Sequence, residues 1–419
     1  MNVIIIKNLQ KIGIELQNEK IVNDLILSFL GISIASGIMF FVNIFIGRQL
    51  GVEQYGIVSI VIIAAQALRT VVTSGLDVAI AKKLASDAKK HKEYISSAVF
   101  AILVSICLYS ILFFVIFNFA ILDEIMVALI FLLSISVGLR LFFDGISRGL
   151  FLFKQQVFFR ILDAILILVM SFLLFFVTES LTAISFIEAM IISGFFISIC
   201  FLVILRKKIN IKYIRINYIK KLLKLGFLFV VVAILTTVFV LVDKMFIKRY
   251  MGLDALGLYS AYYTSSIVIS GFLSMILHNV FFVYTSGHKN KASIAKRIDH
   301  ILKIGFIPIM FFLFACVSVA IVLYGSSFVY NIIYAILFAL FGTVVFASSL
   351  YWPVIATYSN RIFLKGIISL FVRVILMMSY LGLMVYLDIF SIEVLLIGLI
   401  INYSIGIVWL RYIIKKFVK

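Results

Sequence analysis

The sequence predicts an all-α polytopic membrane protein: twelve transmembrane helices in two parallel-repeat six-helix bundles around a central cavity. Three observations carry that prediction. Hydrophobic residues fill 64% of the 419 positions and charged residues 13%, and the mean hydropathy is +1.24, far above that of a water-soluble domain. Twelve stretches reach the length of about 20 apolar residues that crosses a bilayer core as a helix. Finally, Arg48-Gln-Leu-Gly51-Val-Glu53-Gln-Tyr-Gly56-Ile-Val-Ser59 returns 201 positions later as Arg249-Tyr-Met-Gly252-Leu-Asp254-Ala-Leu-Gly257-Leu-Tyr-Ser260. A repeat at half the chain length indicates two copies of one module.

The spans run in order at roughly 25 to 46, 56 to 76, 95 to 117, 125 to 143, 157 to 177 and 181 to 205 in the first copy. In the second they fall at roughly 225 to 247, 255 to 285, 304 to 323, 331 to 352, 366 to 387 and 394 to 410. None shows the ten-residue alternation of a membrane β-barrel, so each backbone satisfies its hydrogen bonds within a helix. The expected domains are an N-terminal six-helix bundle over 1–205, a basic cytoplasmic linker over 206–224 and a C-terminal six-helix bundle over 225–419. Gly51, Gly56, Gly252 and Gly257 point to tight connections between paired spans, where glycine supplies unusual backbone angles. Gly31, Ser33, Ala35, Ser36 and Gly37 read as a small-residue packing surface in the first span. Cys107, Cys200 and Cys316 each fall in an apolar span and read as small core residues, with neither a disulfide nor a metal site implied.

Charge placement sets the expected orientation. The net charge is +19, and the basic residues concentrate in alternate loops: Lys82, Lys83, Lys89, Lys90 and Lys92, then the run from Arg206 to Lys224, then Lys289 to Arg297, then Arg411 to Lys419. The opposite loops carry Asp123, Glu124, Glu179, Asp388 and Glu393. By the positive-inside rule both termini are expected in the cytoplasm. The segment before the first span lacks the short apolar core and cleavage site of a secretory signal and is expected to stay attached. The basic runs read as topology and anionic-lipid contacts, and no nucleic-acid partner is expected.

Charges inside the spans are the functional signal, because each costs about 2.5 to 3.5 kcal/mol at a helix centre on insertion scales and needs a partner or a wet cavity. Arg69 and Arg373 have no acid within one helical turn and are expected on a cavity wall. Lys244 is expected at the outer mouth beside Asp243. Asp77, Asp163, Glu188 and Asp243 are expected to balance these charges, and one of them to bind a coupling proton or monovalent cation. Arg160 and Asp163 lie three apart and can meet on one helix face, while Arg140, Asp144 and Arg148 form a four-residue stripe read as an interfacial salt-bridge ladder. His278 also lies deep in a span, but the four histidines have no metal-helix spacing. No catalytic constellation, metal site or cofactor motif is present in the sequence, and the short connections leave no room for an external catalytic domain.

Gly47-Arg48-Gln49-Leu50-Gly51-Val52-Glu53-Gln54-Tyr55-Gly56, followed by Ser74-Gly75-Leu76-Asp77-Val78-Ala79 and a basic turn, resembles the opening pattern of the polysaccharide repeat-unit flippases of the multidrug, oligosaccharidyl-lipid and polysaccharide exporter superfamily. Asp243-Lys244 and the window Met251 to Ala261 resemble the same family's seventh-to-eighth-span pattern. The resemblance implies two six-helix bundles around a cation-lined cavity in a bacterial plasma membrane. It implies as cargo an undecaprenyl-diphosphate-linked glycan, and as partners membrane lipids and the polysaccharide polymerase and chain-length machinery. Arg69, Arg373 and Lys244 would then hold the anionic headgroup. The competing expectations are export of small amphipathic drugs by the same architecture, an integral-membrane glycan polymerase or ligase, and a non-transporting scaffold. Only two prolines and the intramembrane arginines lean away from the first, and the short external loops lean away from the second.

Overall fold

The computed structural model describes residues 19–87, 90–117, 124–178, 182–287, 291–358 and 360–417. Asp123, Glu179 and the side chain of His278 lie outside the described part. Eleven α-helices are described: α1 Glu19–Thr73, α2 Leu76–Ser86, α3 His91–Phe117, α4 Glu124–Gly149, α5 Phe153–Thr178, α6 Ala183–Leu205, α7 Ile216–Gly287, α8 Lys291–Tyr324, α9 Ile332–Tyr358, α10 Asn360–Tyr386 and α11 Ile392–Phe417.

Two of these are far too long for one crossing. At about 1.5 Å per residue, the 55 residues of α1 and the 72 of α7 would each overrun a hydrocarbon core of about 30 Å at least twofold. Each turns back at a glycine instead. Gly51 adopts φ 74°, ψ 176° and Gly252 adopts φ 90°, ψ −179°, a region essentially closed to residues with a Cβ. A Cβ at either position would meet nothing within 4 Å, so backbone conformation alone demands glycine there. Ten helices among the described residues are long and apolar enough to span a membrane, and with α1 and α7 each counted twice they make the twelve crossings the sequence predicts. The face carrying the chain ends and the lysine-rich connections is called the basic face, and the face carrying Gly51 and Gly252 the far face.

Small residues set the closest helix crossings. Ser136 on α4 donates to the Ile191 carbonyl on α6 at 3.1 Å, and Ser266 and Ser270 on α7 donate to the Phe338 and Gly342 carbonyls on α9 at 2.6 and 2.7 Å. Such bonds need close backbone approach, which bulky side chains would prevent. Gly31 fits against Val157, as a packing role requires, whereas Gly37 faces open space. Cys107 is exposed on α3 rather than in the core.

Two local features differ from expectation. Lys82 and Lys83, expected in a loop, lie on α2, a helical continuation of the second span beyond a break at Ser74 (φ 48°) and Gly75 (φ 68°). The stretch 206–224, expected as a linker, is docked onto the N-terminal half. The amides of Asn210 and Arg215 donate to Ser96 and Ser97 at 3.0 Å each, Tyr218 packs its ring 4.6 Å from that of Tyr94, and Leu222 is buried in the same core. Its helix starts at Ile216 and runs without interruption into the seventh span. Basic side chains conceal this in the sequence, because the apolar residues that anchor the stretch are only a few among many lysines.

Candidate functional site

A cavity of about 370 Å³ opens inside the N-terminal half, between the first segment of α1 and helices α4, α5 and α6. Asn43 on α1, Arg140 and Asp144 on α4, and Gln156, Arg160 and Asp163 on α5 supply its polar wall, while Met39, Phe159 and Phe201 are among its apolar side chains. The C-terminal half contributes Val268 of α7. The polar groups recur at helical spacing on α4 and α5, so one face of each helix turns toward the other.

The two closest charge pairs run across helices. Arg140 Nη1 donates to Asp163 Oδ2, and Arg160 Nη2 donates to Asp144 Oδ2 at 2.6 Å. Arg148 adds a looser contact to Asp144 at 3.9 Å, and Ser193 Oγ on α6 donates to Asp163 Oδ1 at 2.8 Å. The expected Arg160–Asp163 meeting on one face is therefore corrected, and the expected ladder on α4 is the half of a network that α5 completes. Partner exchange brings each guanidinium to a carboxylate on the neighbouring helix.

Exposure within these pairs is unequal. The Asp144 and Asp163 side chains are 8% and 9% exposed, against 34% for Arg160 and 30% for Arg140. All four groups line the cavity, and the guanidinium groups are the more exposed members of each pair. Each guanidinium carries five N–H donors, so most remain available to a guest anion.

Arg69, expected on this wall, lies half-buried on the second segment of α1, and its Nε donates to the Gln66 carbonyl at 3.2 Å. Asp77, in the first turn of α2, and Arg140 are its charged neighbours. It stands behind Arg140 rather than among the lining residues. Glu188 is exposed on α6 on the same outward face as Ile184, Ile192 and Phe196, so it cannot balance Arg69 or Arg373 as expected. A residue four places from each of two outward isoleucines must point outward with them.

Arg373 and Lys244 are sealed within the C-terminal half. Arg373 is 5% exposed; its Nε donates to Asn402 Oδ1 at 3.0 Å and the Asn402 amide donates back to the Arg373 carbonyl at 2.9 Å. Its guanidinium carbon lies 4.3 Å from the centre of the Tyr403 ring and 5.4 Å from that of Phe239. Gly406 leaves the space it fills, since a Cβ there would come within 2.8 Å of the guanidinium carbon. Lys244 is 1% exposed and Asp243 2%. The ammonium lies 3.8 Å from Asp243 Oδ1 and 3.7 Å from the centre of the Tyr263 ring, and Tyr259 donates its hydroxyl to Asp243 Oδ2 at 2.6 Å. Neither cation lines the described cavity, and Lys244 guards no mouth. Aromatic faces substitute for water around both.

The sequence underweighted Arg140, Arg160 and Asp144, and gave no prominence to Asn43 and Gln156. The available signal was the coexistence of two charged stripes, on α4 and α5, in consecutive spans joined by a short turn. Among the described residues no group of three or more histidine, cysteine, aspartate or glutamate side chains could hold a metal ion.

Comparison with known proteins adds the following. A family model described as polysaccharide biosynthesis protein matches residues 21–286, which is more than half of the chain. No curated protein sequence matches it. Among solved structures, an outward-facing multidrug resistance MATE family transporter of the MOP superfamily is 15% identical with a TM-score of 0.62, covering 94% of this chain and 95% of that one. A MOP superfamily transporter from Pyrococcus furiosus, described as having a binding pocket of reverse polarity, is 15% identical with a TM-score of 0.64 over 95% and 96% of the two chains. A MATE protein in complex with MaD3S reaches a TM-score of 0.65 at 14% identity over 94% and 95%. At such identities the likeness shows a shared fold.

Proposed function

The chain belongs to the polysaccharide biosynthesis protein family and shares the fold of a MATE family transporter, and from that premise we propose that it is a membrane transporter that moves an undecaprenyl-diphosphate-linked oligosaccharide from the cytoplasmic to the outer leaflet of a bacterial plasma membrane. The observation that carries this reading is the cavity lined by two guanidinium groups that are more exposed than the carboxylates paired with them.

Unaided crossing is prohibitive for such a cargo. Each hydroxyl taken into hydrocarbon without a partner costs about 2 to 7 kcal/mol, and the charged diphosphate far more. A guanidinium about 4 Å from one phosphate charge returns about 4 kcal/mol at an effective dielectric constant of about 20. Arg140 and Arg160 would hold the diphosphate through their free N–H donors, with Asn43 and Gln156 meeting sugar hydroxyls. Arg69 would reinforce the field from behind Arg140. The polyprenyl tail need not leave the lipid. With the basic face in the cytoplasm, the cavity would load from the leaflet where the cargo is made. Of the carboxylates expected to balance charge, Asp163 is bonded to Arg140 and Ser193 and Asp77 neighbours Arg69, while Asp243 is tied to Lys244 and Tyr259.

Deletion of the gene tests the reading in cells. Lipid-linked repeat units should accumulate on the inner leaflet while surface glycan falls, and normal glycan with no accumulation would refute it. A second reading, export of amphipathic drugs, draws on the cavity's apolar side chains Met39, Phe159 and Phe201; raised drug sensitivity with unchanged surface glycan would favour it.

A further inference from the structure

At the far face the two halves approach backbone to backbone. A Cβ on Gly56 would lie 2.6 Å from the Leu253 carbonyl oxygen and 3.2 Å from the Gly257 nitrogen, and one on Gly257 would overlap the Val52 carbonyl. Gly56 and Gly257 are repeat mates, and so are Val52 and Leu253. The contact is therefore reciprocal, each copy presenting its glycine to the other's carbonyl, as in a two-fold interface. No side chain can rotate aside to accommodate a larger residue.

An aromatic latch lies next to this contact. The hydroxyls of Tyr55 on α1 and Tyr324 on α8 are 3.0 Å apart, the two rings stand 5.5 Å apart, and Phe328 lies 5.9 Å from Tyr55. A Cβ on Gly47 would overlap the Tyr324 ring, and Tyr55 is buried within the core of the other half. Its repeat mate is Leu256, so the latch works in one direction only.

The contact has open space on both sides. Beyond it lies a cleft of about 540 Å³ lined in part by Val52, Glu53, Asp254 and Ser327. On the other side the arginine cavity reaches Asn43 on the first segment of α1, about 12 Å short of the turn at Gly51 at about 1.5 Å per residue. We propose that the Gly56–Gly257 contact, with the Tyr55–Tyr324 latch, is the far-face gate of the translocation path, shut in this structure, and that a side chain at either glycine holds it open. Tightly packed interfaces of this kind switch between discrete arrangements rather than deforming. The inference rests on the transport reading but not on the identity of the cargo.

Distance measurement between spin labels tests it without any cargo. After Cys107, Cys200 and Cys316 are replaced by serine, Glu53→Cys and Asp254→Cys, both at exposed positions, carry nitroxides on the full-length protein in nanodiscs. The parent should show a dominant short distance. Gly257→Val should lower the ratio of short to long distances at least about tenfold, and Tyr55→Phe, which removes only a hydroxyl, by about threefold. An unchanged distribution in Gly257→Val overturns the proposal. Should that variant fail to give a monodisperse protein, Tyr55→Phe decides alone, and an unchanged distribution there overturns it.

Discussion

A buried ammonium survives in a helical bundle only where other groups replace its water. For Lys244 these are the Asp243 carboxylate and the faces of Tyr259 and Tyr263. Removing one member of a buried pair typically costs about 3 to 5 kcal/mol, because the partner is left charged and unmatched, whereas replacing both can be nearly neutral. Lys244→Met should therefore lower the thermal unfolding midpoint in detergent markedly, and Asp243→Asn with Lys244→Met should recover most of the loss. Equal destabilisation in the single and double variants would show that the pair is not what holds this part of the core. The same physics explains why these residues were misread from sequence. An intramembrane cation signals a wet cavity or a private partner, and the partners of Arg373 and Lys244 come from Asn402, Tyr403, Tyr259 and Tyr263. Asn402 and Tyr403 are some 30 positions from Arg373, too far for helix spacing to connect them. Arg140 and Arg160 were discounted for the opposite reason, because each has an acid one turn away that turns out to pair with the other helix.

Elements were more legible than sites. Hydropathy located all twelve crossings, since a bilayer imposes one length on every span, and the glycines of the repeat located both hairpins. The conformation at Gly51 and Gly252 makes a direct prediction. Gly51→Ala should destabilise the protein by about 1 to 3 kcal/mol because alanine is excluded from that backbone region. Gly37→Ala, in open space within a helix, should be neutral or stabilising by up to about 1 kcal/mol. Denaturation of the purified proteins in detergent compares the two, and equal stability would contradict the backbone argument. The docked stretch 206–224 was not legible, because its lysines dominate the pattern while Tyr218 and Leu222 do the anchoring. The α2 extension was hidden likewise by Lys82 and Lys83, whose long stems let a helix carry charge at a membrane surface.

At the scale of the whole molecule, the fold is two copies of one helical module, joined through a helix that begins in the N-terminal half and continues as the seventh span of the C-terminal one. The copies have diverged in what they bury. The N-terminal half keeps its charges around an open cavity, while the C-terminal half seals Asp243, Lys244 and Arg373 among tyrosines. This division of labour was invisible to the repeat, which matches only the far-face hairpins. It leads to an asymmetric account of transport in which the N-terminal half holds the anionic head and the far-face contact controls its exit. The most direct measurement is transbilayer movement of a polyprenyl-diphosphate oligosaccharide in proteoliposomes containing the full-length protein. The account predicts movement with the parent, loss of at least about tenfold with Arg160→Glu and near-parent movement with Glu188→Gln, all three eluting as monodisperse protein. Parent-level movement by folded Arg160→Glu would contradict it.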